Sequence, residues 1–511
     1  MNMNRIHLKI FLPAVALFIS AAVISGCSDD KQVHTAGIKL YEQAQSYEKS
    51  SNYIKAYSAY RAASDQLLSE GKANLARQCR LGRERAWKVK QCYSVPDNKA
   101  FKQIKNKYPQ LKDDRIHDLL SKADSILMDG KQYYFSGFMN TVENLDTKLI
   151  LSDKNAISKI TKASEVFRHI INKKVENLLQ PYSEPVSYKM AGNLRIPQEE
   201  LPAYGILKVW VPIPIVTGPQ QNIKIKKIVG RGIYGYPVNI DGDIGLSYFE
   251  VPLDKLNSDL NYRIEFDFDH YWQNFSGVVA SSVGEYDKGS SLYKEYTASK
   301  GNIYISGDIT STARKIVSGE KNPYLAAKKI YEYVVDKTTY SLMPHTALNA
   351  YNLPESVYVQ KHKYGDCGAQ SIYFSALCRA VGIPARTTGG FQMINSKTNG
   401  APSPHFWAEF YIPNYGWIPV DTSVAQFYKI FSSIWTKEEA LKFKNYYFGN
   451  MDPYRYIIQK DVDVPLNPPA TEPVLLPMAI QMPAAVCATM DESPSKFIDK
   501  YWTLTIKKAP K

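Results

Sequence analysis

Cysteine is scarce, with six in 511 residues, and none stands in the Cys and His spacing of a zinc site. There is one long apolar run, near the start, and no second that would build a bundle of membrane-spanning helices. Dense blocks of like charge are missing as well. Lys and Arg number 63 against 49 Asp and Glu, for a formal net charge of +14. Yet the basic residues are spread along the chain and no nucleic-acid motif accompanies them, so nucleic acid is not an expected partner. No loop carries the ligand spacing of a calcium site, and no metal or other cofactor is expected.

What is present describes a folded protein. Hydrophobic residues make up 44% and charged residues 22% of the chain, the balance of an ordinary globular protein. Its length exceeds a single core and suggests roughly three or four domains. The 37 tyrosines offer either aromatic surface for a peptide or glycan or packing for the core.

Residues 1–26 join Arg5 and Lys9 to an apolar run over 10–23, too short for a comfortable span, and read as a signal peptide. Ile24-Ser25-Gly26-Cys27 is similar to the bacterial lipobox, which implies that Cys27 becomes the lipidated first residue of the mature chain. Ser28 follows, where an Asp commonly retains such proteins at an inner membrane. The resemblance therefore implies the bacterial cell envelope, with acyl chains as the anchor and the outer membrane as destination. Cys79, Cys92, Cys367, Cys378 and Cys487 then remain. An odd number in an oxidising compartment fits one working thiol, with any disulfide optional.

The region 28–180 is expected to be α-helical, over 38–89, 115–128 and 156–179 in particular. Tyr47, Ala56, Tyr60 and Ala63 are similar in spacing to a tetratricopeptide (TPR) helix pair, without a second copy. Such a TPR-like region is either a spacer packed on the core or a docking site for a protein partner. Residues 181–185 read as a linker. Over 187–276, within an expected β domain of 187–300, the period changes to two: Tyr262, Ile264, Phe266 and Phe268 alternate with Arg263, Glu265, Asp267 and Asp269. This predicts a β-sandwich, with 206–212 and 246–251 as partner strands.

The densest chemistry lies further on. After Cys367, the apolar residues Ala369, Ile372, Tyr373, Ala376, Leu377, Ala380 and Val381 recur at helical period. Gly382 stops that helix and Pro384 prevents its resumption. Asp366 is an N-cap type, so Cys367 falls in the first turn, where unpaired N–H groups and the helix dipole favour a thiolate. Asp366 opposes this as a neighbouring negative charge unless it is turned onto backbone N–H groups. His405, Trp407 and Glu409 share one face of a predicted strand, and Trp417, Pro419 and Asp421 share one face of the next. A four-residue loop between them would set Asp421 opposite Ala408, on the wrong face for His405. An odd loop, or a bulge at Gly416, sets it opposite Trp407 and diagonal to His405, and is expected here.

Gly365-x-Cys367, Arg379-Ala380-Val381-Gly382-Ile383-Pro384-Ala385-Arg386, Gly389-Gly390-Phe391, His405-x-Trp407 and Gly416-Trp417-x-Pro419-Val420-Asp421 together resemble the transglutaminase-like superfamily of papain-fold cysteine enzymes. The resemblance covers about a fifth of the chain, over 322–423. It implies a papain-like catalytic domain over 307–430, entered by a helix that Asn322 caps and Pro323 opens. Cys367 would be the nucleophile, His405 the base and Asp421 its orienting partner. The oxyanion would meet the Cys367 N–H and one side-chain donor, and Tyr364, Tyr340, Trp407 and Gln370 are the substrate-positioning candidates. Tyr447-Phe448-Gly449-Asn450-Met451-Asp452-Pro453-Tyr454-Arg455 resembles a tail segment of such bacterial domains, with Arg455 in an ion pair rather than on a substrate. The C-terminal extension, 431–511, is Pro-rich over 465–483 and closes with a strand over 501–506.

The expected whole is an α+β multidomain lipoprotein: a helical TPR-like region, a β-sandwich, a transglutaminase-like domain and a β-rich tail. Its expected activity is acyl transfer or hydrolysis at peptide, isopeptide or glutamine amide bonds of a peptide or protein substrate. The alternative is a catalytically silent envelope lipoprotein that binds peptide or glycan.

Overall fold

The computed structural model describes residues 35–173, 180–230, 238–394, 401–470, 481–490 and 500–508. The stretch 1–26 read as a signal peptide, and Cys27, lie outside them. The chain forms a mixed α/β protein that divides into two compact units, meeting between Ser136 and Gly137.

The first unit begins with helices Ala36–Lys49, Tyr53–Ser69 and Ala73–Cys92. Ala56, Tyr60 and Ala63 all lie on the buried face of the second. Gly82 makes room for it, because a Cβ there would stand 2.4 Å from the Tyr60 ring. The helix expected over 115–128 is shorter. It runs Asp113–Lys122 and gives way to a hairpin of Ser125–Met128 and Lys131–Tyr134. Asp129 and Gly130 turn that hairpin at φ of 50° and 73°, the left-handed pair that a two-residue hairpin turn demands. This dipeptide was the signal against a continuous helix.

The second unit contains three main sheets. One has the strand order Asn450–Met451, Leu260–Asn274, Tyr182–Ile196, Trp502–Lys508, with Gln220–Gly230 also paired to Leu260–Asn274. Another runs Ala484–Val486, Ile206–Pro212, Leu246–Pro252, Val238–Asn239. Tyr262, Ile264, Phe266 and Phe268 are buried as their alternation requires, and they share one core with Val209, Val211, Phe249 and Val251 of the other sheet. The expected partner strands therefore meet Leu260–Asn274 face to face rather than edge to edge. Ile206–Pro212 and Leu246–Pro252 pair with each other, while Leu260–Asn274 pairs with Tyr182–Ile196 and Gln220–Gly230. Alternation tells which face of a strand is buried, not which neighbour shares its edge. Residues 182–185, read as linker, belong to the start of the strand Tyr182–Ile196, which is bulged between Ser183 and Val186. The extension beyond 431 is built into the same sheets: its last strand pairs with Tyr182–Ile196 and Ala484–Val486 pairs with Ile206–Pro212.

The third sheet has the order Gly416–Val420, Ser403–Ile412, Ala385–Gln392, Arg455–Gln459. Helix Pro323–Lys337 leads toward it, with the Asn322 side chain accepting from the N–H groups of Tyr324 and Leu325. Strand Arg455–Gln459 ties this sheet to the preceding β region, since Ile457 O accepts from Ile215 N at 3.2 Å and Ile458 O from Gly245 N at 2.8 Å. The helix Lys154–Asn172 also joins this unit: Phe167 meets Phe443 and Phe431 at ring separations of 5.3 and 5.9 Å.

Gly390 lies where two strands close upon a third, opposite both His405 and Ile457. A Cβ there would come within 1.8 Å of the Tyr456 carbonyl oxygen, and backbone cannot swing aside as a flexible side chain would. Gly390→Ala is therefore expected to destabilise the protein by about 1–3 kcal/mol, read as a lowered urea midpoint, and to reduce any activity that depends on His405.

Candidate active site

Cys367 opens the helix Cys367–Ala380, and Asp366 caps it by accepting from Ala369 N at 3.1 Å. The sequence period predicted one wide buried face, but every residue from Gly368 to Arg379 is buried. Its two inner serines are satisfied there: Ser371 donates to Cys367 O at 2.7 Å, and Ser375 pairs with Thr387 at 3.0 Å. Cys378 is core. Gly382, at φ of 79°, ends the helix as expected.

Cys367 is half-buried. Burial pushes its thiol up, and Asp366 pushes in the same direction, whereas the N–H groups of Phe406 and Gly368 on the sulfur lower it. Phe406 directly follows His405, so the same strand that meets the sulfur also carries the imidazole.

That strand is linked to the next with odd parity. Ile412 stands opposite Gly416 and Ala408 opposite Val420, so continuing the register brings Asp421 level with Trp407. Asn414 and Gly416 make the turn at φ of 71° and 82°. Asp421 then divides its oxygens between two tasks. One accepts from Val424 N at 3.0 Å and Ser423 Oγ at 3.1 Å; the other accepts from His405 Nε2 at 2.8 Å and Arg455 Nη1 at 2.7 Å. Burial would raise this carboxyl, but His405 and Arg455 hold it well below the usual carboxylate range. Since Asp421 holds Nε2, Nδ1 is the ring nitrogen left for a thiol proton.

Residues 310–422 match the model of the Transglutaminase-like superfamily. The segment is a transglutaminase-like domain. An uncharacterized protein of Haemophilus influenzae is 24% identical over 240 residues, which cover 43% of this chain and 64% of that relative's length. Among solved structures, a candidate cysteine protease from Cytophaga hutchinsonii is similar over 64% of this chain and 99% of its own, with 12% identity and a TM-score of 0.35. The periplasmic domain of TgpA from Pseudomonas aeruginosa is similar over 55% and 95%, with 9% identity and a TM-score of 0.24.

Within the transglutaminase-like domain the remaining candidate residues separate by environment. Tyr340 stands level with Gly365 in a short parallel ribbon. Burial, then the nearby Cys367 and Asp366, raise its phenol, so its hydroxyl keeps its proton. Tyr364 lies in the core instead, against Tyr358 and His362. Gln370 spends its amide donors on Gly365 O at 2.9 Å and Gln426 Oε1 at 3.1 Å. Trp407 is fully buried, with the Arg455 guanidinium 5.0 Å above its ring and the His405 ring stacked 6.1 Å away. Its ring therefore packs against both His405 and Arg455.

Two sets of partners had no sequence signal strong enough to find them. Arg455 is an ion-pairing residue as expected, but its partners are Asp421 and, at 3.0 Å, Asp452, all three fully buried. His345 bridges Glu355 and Asp366 behind Cys367. Among the described residues no group of His, Cys, Asp and Glu is arranged to hold a metal.

Proposed function

We propose that the protein is a lipid-anchored cysteine hydrolase of the cell envelope that cleaves peptide, isopeptide or glutamine carboxamide bonds. The observation that carries this reading is the 2.8 Å His405–Asp421 pair on the strand whose next N–H meets the Cys367 sulfur. A thiol pushed up by burial needs a base to take its proton, and His405 Nδ1 serves that role. The thiolate adds to the carbonyl carbon, and the oxyanion meets the Cys367 N–H and the Tyr340 hydroxyl. His405 returns the proton to the leaving amine, and a water then attacks the thioester, giving its proton to His405 and freeing the thiol. A lysine amine in place of that water would give a cross-link. Hydrolysis is preferred because a site open to an aqueous compartment does not exclude water by default. The two facing sheets are read as a β-sandwich that carries the catalytic domain, and the TPR-like helices as a spacer.

Peptidoglycan stem peptides and glutamine-containing peptides, offered to the full chain with and without a primary amine, test the activity. Release of amine or ammonia supports hydrolysis, and incorporation of the added amine supports transfer. No turnover together with an unalkylatable Cys367 would favour the binding protein instead. The anchor has its own test. Cys27→Ser is expected to release the protein from membranes and block precursor processing, and unchanged membrane binding would refute the lipobox reading.

A further inference from the structure

The cap that starts the Cys367 helix creates an electrostatic conflict. Asp366 is the residue immediately before the sulfur, and its negative charge opposes a thiolate. A third group answers this. His345 sits at the start of His345–Ala350, its Nδ1 2.6 Å from Glu355 Oε1 and its Nε2 on Asp366 Oδ2. An imidazole can donate from both nitrogens only as the cation, and ionised carboxylates can only accept. Both Asp366 oxygens are thereby engaged, one on Ala369 N and one on His345.

We propose that His345, held between Glu355 and Asp366, is a positioning residue whose positive charge neutralises Asp366 and so allows Cys367 to ionise. This rests on the reading of Cys367 as the nucleophile. The other charged groups around the pair do not supply that cation. Asp421 also faces the sulfur but is answered by His405 and Arg455, and Tyr340 stays a neutral phenol. Behind His345, Glu355 is fully buried with its Oε2 unpartnered and Asp463 nearby, and burial raises its carboxyl while His345 lowers it, so this side of the cluster supplies no second cation. Asp366 and Glu355 raise the imidazole well above its ordinary value against the opposing effect of burial, which is the largest single influence. Asp366, although buried, is held below the usual carboxylate range by His345 and the helix N–H groups. The pair is therefore charged across neutral pH, and the cap presents no net charge to the sulfur.

The test is the pH dependence of iodoacetamide alkylation at Cys367, followed in the full-length protein by mass spectrometry of its peptide. That readout separates it from the four buried cysteines. His345→Gln is expected to raise the alkylation midpoint by about one pH unit, which slows the reaction about tenfold below the midpoint. Asp366→Asn keeps an N-cap side chain without the charge, so His345→Gln combined with Asp366→Asn should return the midpoint to the native value or below. A merely structural role would leave the double variant as impaired as His345→Gln, and an unmoved midpoint in His345→Gln would overturn the proposal. If His345→Gln does not fold, the imidazole carbon resonances of His345 in the native protein decide. A cation near neutral pH is expected, and a neutral ring would overturn the inference. Native Cys367 that resists alkylation altogether would instead defeat the functional reading on which the inference rests.

Discussion

Cys367→Ala is expected to remove all turnover of acyl substrates and to leave the fold unchanged. The side chain is only half-buried, and the helix it opens is capped by Asp366 and seated by the residues that follow. Alanine in the first turn costs the helix nothing. His405→Ala should be nearly as severe, by about 10²- to 10⁴-fold, since burial leaves the thiol protonated without a base. Combining the two should add little, because they act as a unit. Asp421 needs a gentler substitution. Asp421→Ala would leave Arg455 buried with one carboxylate fewer, mixing a folding defect into the kinetics. Asp421→Asn keeps the shape and the acceptor for His405 and is expected to lower kcat while the unfolding transition moves less. Rates measured beside circular dichroism and thermal melts separate the two effects. Activity surviving in Cys367→Ala would move the chemistry to another residue.

Arg455→Ala should give the largest loss of stability of any change near the site, about 3–5 kcal/mol, because it strands Asp421 and Asp452 in the interior. It also removes the guanidinium from the face of Trp407, so the orientation of His405 should suffer with it. The pH dependence carries a definite sign. In the native protein the Asp421 carboxyl is depressed, so its stabilising contribution is present above its unfolded value, about 3.9. It is lost as pH falls through the folded value. In Arg455→Ala the stranded Asp421 carboxylate loses a cation that held it down, so the deficit should be greatest near neutrality and narrow as the pH falls below about 5. Denaturant titrations of both proteins across that range would show it. A deficit that is constant with pH would mean that lost packing, not stranded charge, dominates.

Much of the site was legible because its signals are local. The Asp366 cap, the Gly382 stop, the Asn322-Pro323 helix start and the face shared by His405 and Trp407 follow from dihedral preferences and side-chain periods within a few residues. Even the parity of the loop before Asp421 could be argued, since only an odd connection places that carboxylate on the face of the imidazole. Local rules also misled. The helix expected over 115–128 ignored the Asp129-Gly130 turn, and the stretch 181–185 looked like a linker although its residues begin a strand.

What the sequence by itself determined is the transglutaminase-like segment and the residue types of its candidate triad, because order and spacing along one chain suffice to state them. Only the tertiary structure decided what surrounds those residues. Arg455 reaches Asp421 across 34 positions and His345 reaches Asp366 across 21, while Tyr364 is packed into the core. Strand pairing in the β region was equally open. A buried charge takes its value from partners brought together by packing, and no period or motif along the chain specifies which distant segment will supply them.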